Sequence, residues 1–293
     1  MKLTIFIKRI INQIIKKFGY SLIGKKQTIK HNDFDAIIKF LSKDICKMEN
    51  LVIFDVGANV GQSIDRFSKL FKNDKNEIFS FEPIPEIFET LKKEYDTNNL
   101  RKNIRLFQLA LDNKAGKSKM HSYKYHQINS LIPTDKGSKF HKSREIISKD
   151  NFEPFETEVE IETNTIDNIA MEQRIDKIDI LKIDTQGNED RILEGSKKLL
   201  NSNKIGIIEL ELILGFGYKK QMSFHDIEKV LSPCGYRLIA IDYASNVISF
   251  SNYQVNVIYV NADIFHKIKH LHYENKTIEN ITNRTDNQNP FSY

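Results

Sequence analysis

The chain has 293 residues, 40% hydrophobic and 28% charged, a composition that suits a soluble globular protein with a sizeable core. Lys and Arg number 44 against 39 Asp and Glu, and the net charge of +5 is too mild an excess to argue for nucleic acid. The two cysteines, Cys46 and Cys234, lie far apart; they speak against a disulfide framework or a zinc site and read as small buried side chains in a reducing compartment.

In chain order, the basic excess comes first. Met1 to Lys26 holds seven Lys and Arg and no acid, while Leu3, Ile7, Ile10, Ile14 and Phe18 recur at helical spacing. Charges interrupt the apolar run too early for a transmembrane span, and no small-residue cleavage site follows. The segment, bounded at residues 1–30, is expected to be an amphipathic helix. It lies on an anionic membrane or packs on the rest of the protein; both readings stand. Residues 31–272 read as the main domain, and the polar, Asn-rich tail 273–293 as disordered. Its three N-x-T sequons, at Asn275, Asn280 and Asn283, are chance matches in such a composition.

Within the main domain the pattern predicts a helix over Phe34 to Lys47, a strand over Leu51 to Val56, a helix from Gln62 to about Phe71, a strand over Glu77 to Phe81 and a helix over Glu86 to Tyr95. Strands follow over Asn103 to Leu109 and Ile178 to Ile183, then a helix over Asp190 to Asn201 and a strand over Ile205 to Glu211. A helix over Phe224 to Leu231 precedes two closing strands, Tyr236 to Ile241 and Gln254 to Val260. Strands alternating with helices predict an α/β, doubly wound, mostly parallel sheet. One stretch, about 112–168, breaks the alternation. Lys114 to His126 and Glu156 to Thr163 look like strands within a β-rich insert, which lies over the carboxyl ends of the sheet or stands beside it as a solvated hairpin.

The chemistry starts at L-V-I-F-D-V-G-A-N-V-G-Q, Leu51 to Gln62: an apolar strand, an acid, a glycine turn and a helix start. A dinucleotide turn has three glycines spaced G-x-G-x-x-G, whereas here the turn has only Gly57 and Gly61. The pattern fits S-adenosylmethionine better than NAD. Asp55 at the strand end is placed to hold a cation such as an amino group. Glu82 stands 82 − 61 = 21 residues after Gly61, near the offset of a ribose-binding acid, and a carboxylate there accepts from both ribose hydroxyls.

Four stretches then resemble one family. D-V-G-A-N-V-G-Q, F-E-P-I-P-E-I-F-E-T-L (Phe81 to Leu91), L-K-I-D-T-Q-G-N-E (Leu181 to Glu189) and L-E-G (Leu193 to Gly195) look like the FkbM-type methyltransferases, over about Leu51 to Val260. The resemblance implies a Rossmann-like seven-stranded fold. It also implies that Asp55, Gly57, Asn59 and Gly61 line the methionine half of the cofactor, that Glu82 holds the ribose, and that Ala110 and Leu111 flank the adenine.

Methyl transfer to a hydroxyl needs alignment and a general base. Asp184 and Glu209 are the candidate catalytic residues, at the ends of the fourth and fifth strands, with Glu211 on the same face as Glu209. Converging carboxylates there share a proton or hold a divalent cation; no metal ligand set is assigned. Asp184 also reads as a positioning group, Glu189 as a helix N-terminal acid, and His121, His126 and His141 as surface histidines or alternative bases. The expectation is a cytoplasmic S-adenosylmethionine-dependent O-methyltransferase, peripheral at the inner membrane face. Its acceptor is expected to be a sugar hydroxyl of a bacterial surface glycan or its lipid-linked precursor. A small natural product as acceptor, or a catalytically silent scaffold of the same fold, are the alternatives.

Overall fold

The computed structural model describes residues 34–96, 103–122, 129–133, 157–213, 222–243 and 254–270, with 135, 137, 218 and 219. The expected N-terminal helix, the C-terminal tail, His126 and His141 lie outside the described residues.

Among the described residues the strands form two sheets. The larger comprises β1 (Val52–Val56), β2 (Glu77–Phe81), β3 (Ile104–Phe107), β7 (Ile178–Ile183), β8 (Ile205–Ile213), β9 (Arg237–Tyr243) and β10 (Gln254–Val260), in the order β3-β2-β1-β7-β8-β10-β9. All pairings are parallel up to β8, and β10 runs antiparallel to both β8 and β9. The chain winds outward from β1 on one side and from β7 on the other, so the direction of winding reverses between them. A ligand cleft opens at the carboxyl ends of strands at such a reversal. The smaller sheet, in the order β4-β6-β5, joins β4 (Ala110–Leu111), β5 (Gly116–Ser122) and β6 (Thr157–Asn164).

Strand periodicity divides the core into two layers. Phe54, Val56, Phe79, Phe81, Leu181 and Ile183 face a layer containing α4 (Ile166–Glu172), α5 (Glu189–Glu194), α6 (Lys197–Asn201) and α7 (Phe224–Leu231). Ile53, Ile78, Ile180, Ile207 and Ile258 face the other, with α1 (Phe34–Lys39), α2 (Gln62–Leu70) and α3 (Pro85–Asp96). Buried parallel strands carry apolar residues on both faces. The exceptions therefore stand out: Asp55, Lys182 and Glu209 follow Ile53, Ile180 and Ile207 on the second face, and they lie side by side in register across β1, β7 and β8.

Several boundaries differ from the sequence pattern. Phe34 to Lys47 is α1 followed by a π-turn, Phe40–Ile45. The segment Asn103 to Leu109 contributes only Ile104–Phe107 to the large sheet. The helix expected over Asp190 to Asn201 is broken into α5 and α6; Gly195, between them, passes so close to Asp112 that a Cβ there would lie 2.2 Å from the Asp112 carbonyl oxygen. Helix α4 was not expected from the sequence; Thr165 caps it, its Oγ1 accepting from Asn168 N at 3.1 Å. No helix among the described residues is long and apolar enough to cross a membrane.

Candidate active site

A cavity of ≈ 360 Å³ opens at the carboxyl ends of β1, β2, β7 and β8. The turn after β1 forms one wall. Gly57, Asn59 and Gly61 all have positive φ, at 82°, 50° and 98°. Gly57 has a steric requirement as well: a Cβ there would sit 2.0 Å from the Asp184 carbonyl oxygen. Its N–H and that of Ala58 donate to Phe81 O at 3.1 and 3.0 Å, which fixes the turn against β2.

Glu82 follows β2, 5% exposed. Oε2 accepts from Asn59 N and Oε1 from Ile84 N, both at 3.0 Å, so one carboxylate organises two turns. A carboxylate has about four lone-pair sites, so acceptor capacity remains on each oxygen. Burial pushes its pKa up to about 7, against the pull of those two backbone bonds.

Of the residues expected to bind the cofactor, Gly57, Asn59, Glu82, Ala110 and Leu111 line the cavity, and Asp55 and Gly61 do not. Asp55 is fully buried. Its Oδ1 lies 3.3 Å from Lys182 Nζ and its Oδ2 accepts from Ser80 Oγ at 3.3 Å, so the cation it holds belongs to the protein. Gly61 lies under Tyr95, whose hydroxyl donates to Gly61 O at 2.9 Å and whose ring would be 2.3 Å from a Cβ. Its glycine is required by packing against α3.

Lys182 is a residue the sequence reading passed over. Only 8% exposed, it lines the cavity and sits 3.3 Å from Gly57 O and 3.5 Å from Asp184 Oδ2. Burial alone would lower its pKa, but Asp55, Asp184 and Glu209 more than offset this and keep it charged. The signal was available: a lysine inside I-D-I-L-K-I, a strand otherwise buried on both faces.

The two expected catalytic residues separate. Asp184 lines the cavity. Glu209 does not: its carboxylate takes two 2.9 Å bonds from Arg66 Nη1, and Arg66 Nε also donates to Asp35. Glu211, two residues further along β8, reaches the cavity in its place. It shares a side-chain hydrogen bond with Asp184. Burial first, then the Asp184 charge and that bond, hold its pKa well above the carboxylate range, against Lys182. Asp184 Oδ1 also accepts from Gln186 Nε2 at 2.9 Å. His121, on β5, is not among the lining residues.

The loop after β7 is held by Glu189, fully buried at the start of α5. It accepts from Thr185 N, Thr185 Oγ1 and Gly187 N at 3.1 to 3.2 Å, and burial pushes its pKa up to about 7. The smaller sheet closes the opposite side. Ala110, Leu111, Met120 and Leu131 make an apolar wall, and Ser130 Oγ donates to Gln186 O at 2.9 Å. Arg191 on α5 grips Asp112 with bonds of 2.7 and 2.6 Å, fixing the base of that sheet.

The family described as Methyltransferase FkbM domain matches residues 55–238. The 2-O-methyltransferase NoeI of Sinorhizobium fredii (strain NBRC 101917 / NGR234) is 24% identical over 153 residues, 52% of this chain. Methyltransferase sdnD of Sordaria araneosa is 26% identical over 158 residues, 50% of this chain. The match spans 60% of the length of each of these relatives. Among solved structures, the methyltransferase FkbM of Methylobacillus flagellatus KT has a TM-score of 0.47 at 13% identity, covering 76% of this chain and 47% of that one. The match to the family extends over more than half of the residues, from Asp55 at the end of β1 to Leu238 in β9, and the chain belongs to the FkbM methyltransferase family, with S-adenosylmethionine as its cofactor.

Proposed function

We propose that the protein transfers a methyl group from S-adenosylmethionine to a sugar hydroxyl of a surface glycan or its lipid-linked precursor. The observation that carries this reading is the Asp184–Glu211 carboxyl pair, which faces the same cavity as the glycine turn and Glu82. NoeI, described as a 2-O-methyltransferase, supports an oxygen acceptor.

The lining suits the cofactor. Glu82 has acceptor capacity for two ribose hydroxyls beyond its two backbone bonds. Gly57 leaves the space a side chain would fill, and Asn59 Oδ1 has no hydrogen-bond partner among the described residues. The Lys182 ammonium, set in place by Asp55, is positioned for a carboxylate. Ala110, Leu111 and Met120 offer an apolar face to a planar base.

When bound, S-adenosylmethionine supplies an activated methyl whose bond to sulfur breaks with the electron pair left on sulfur. The protein's part is to hold an acceptor hydroxyl in line and to take its proton as the new C–O bond forms. The carboxyl pair, Asp184 with Glu211, takes that proton as a unit. The apolar wall excludes water. We place residues 1–26 at an anionic membrane surface, where lipid-linked acceptors reside.

The test is to incubate the purified chain and methyl-deuterated S-adenosylmethionine with glycan and lipid-linked glycan fractions from a strain lacking the gene. A deuteromethyl gain on a sugar is expected, and its absence from every fraction would refute the reading.

A further inference from the structure

The Asn188 side chain makes no hydrogen bond among the described residues. It is 1% exposed and lines the cavity, and neither Oδ1 nor Nδ2 has a hydrogen-bond partner among the described residues. Asparagine just before a helix ordinarily caps it. Asn188 precedes α5 and makes no side-chain cap bond. Glu189 ties down the loop instead. Burying an amide without a partner is costly, and an apolar side chain of similar size would avoid the cost.

Asp184 and Asn188 stand at the two ends of one loop, and both face the cavity. The loop is folded back on itself: Gln186 and Gly187 have φ of 59° and 111°, and Gln186 is bonded to Asp184 through its amide and to Ser130 through its carbonyl. Two polar groups presented by such a short, pinned loop suit two neighbouring hydroxyls of one small ring. An amide both donates and accepts, and so does a hydroxyl.

Resting on the methyl-transfer reading, we propose that Asn188 reads a second hydroxyl of the acceptor, on the carbon next to the one methylated, so that the site selects a saccharide bearing a vicinal diol. An acceptor without that hydroxyl leaves the buried amide unpaired and is rejected.

The experiment has three arms, run on the full chain and on Asn188→Leu, with Asn188→Ala as the second variant. Thermal melts are expected to show an unchanged or higher Tm in Asn188→Leu; a lower Tm in both variants makes the amide structural and overturns the inference. Calorimetry with S-adenosylhomocysteine is expected to show unchanged affinity; a loss of about tenfold, the size of one good hydrogen bond, would give the amide to the cofactor. The third arm follows labelled methyl transfer into the glycan fractions, untreated or pre-oxidised with periodate, which cleaves vicinal diols. The parent protein is expected to label untreated fractions only, and the variants at least about tenfold less. Equal labelling of oxidised fractions, or full activity of the variants, overturns the inference and leaves the methyl-transfer reading intact. No labelling of any fraction by the parent protein refutes both.

Discussion

Lys182 Nζ lies 3.3 Å from Asp55 Oδ1, so that Lys182 lines the cavity and Asp55, the acid the sequence places at the ligand, stands behind it. Asp55 is fully buried and Lys182 nearly so. We propose that the strand-end acid acts through the lysine in front of it. Removing either partner strands a charge in the core, which costs about 3–5 kcal/mol. Lys182→Met is expected to lower unfolding stability by that order in a denaturant titration. Asp55→Asn combined with Lys182→Met should be less destabilised than the sum of the single variants. Strict additivity would show that the two do not interact.

The Arg66–Glu209 pair makes a contrasting prediction. Glu209 is bonded to Arg66 and stands outside the cavity lining. Glu209→Gln should lower Tm while leaving turnover at saturating S-adenosylmethionine within about twofold, as expected for a residue whose loss removes no transition-state contact. A large fall in turnover with unchanged stability would return Glu209 to the mechanism.

These two residues show where sequence reading reached and where it stopped. The glycine turn, Glu82 and Asp184 were legible because each stands at the end of a strongly apolar strand, where only a few residue types serve. Glu209 and Glu211 were not separable. Strand alternation puts both on one face, but which of them meets Arg66 depends on how α2 packs, and the sequence does not state that. Lys182 was overlooked because its buried partner, Asp55, is brought to it by the parallel register of β1 and β7. Helix α4 was missed because its seven residues follow directly on β6, within a stretch read as the insert and its exit.

Glu82 gives a pH prediction. Its pKa in the folded protein is raised from 4.5 to about 7. The native state thus binds its proton more tightly than the unfolded chain. The resulting stability is fully present below pH 4.5 and is lost as pH rises through about 7. Glu189 acts in the same direction and over the same window. Hydroxyl donors from a ligand favour the ionised carboxylate, so S-adenosylhomocysteine should bind more tightly as pH rises from about 6 to about 8, with proton release at the lower end. Calorimetry in buffers of different ionisation enthalpy measures that release. The proton should vanish in Glu82→Gln, with affinity down by about tenfold or more; identical proton release in the variant would assign it to another group.

The N-terminal segment is tested separately. Seven basic residues with no acid between Met1 and Lys26 should attract anionic lipid, at up to ~1 kcal/mol per charge near the surface. The full chain should sediment with anionic vesicles at low salt and be released at high salt. Failure to sediment at low salt, with a lower Tm when residues 1–26 are deleted, would make the segment part of the folded body.

The most direct test of the account is the turnover of Asp184→Asn at saturating S-adenosylmethionine on the labelled glycan fraction. The amide preserves shape and one acceptor oxygen for Gln186 but cannot take a proton. Turnover is expected to fall by about 10²-fold or more, with S-adenosylhomocysteine affinity held within about threefold. Turnover equal to that of the parent protein would contradict the assignment of the carboxyl pair as the proton acceptor.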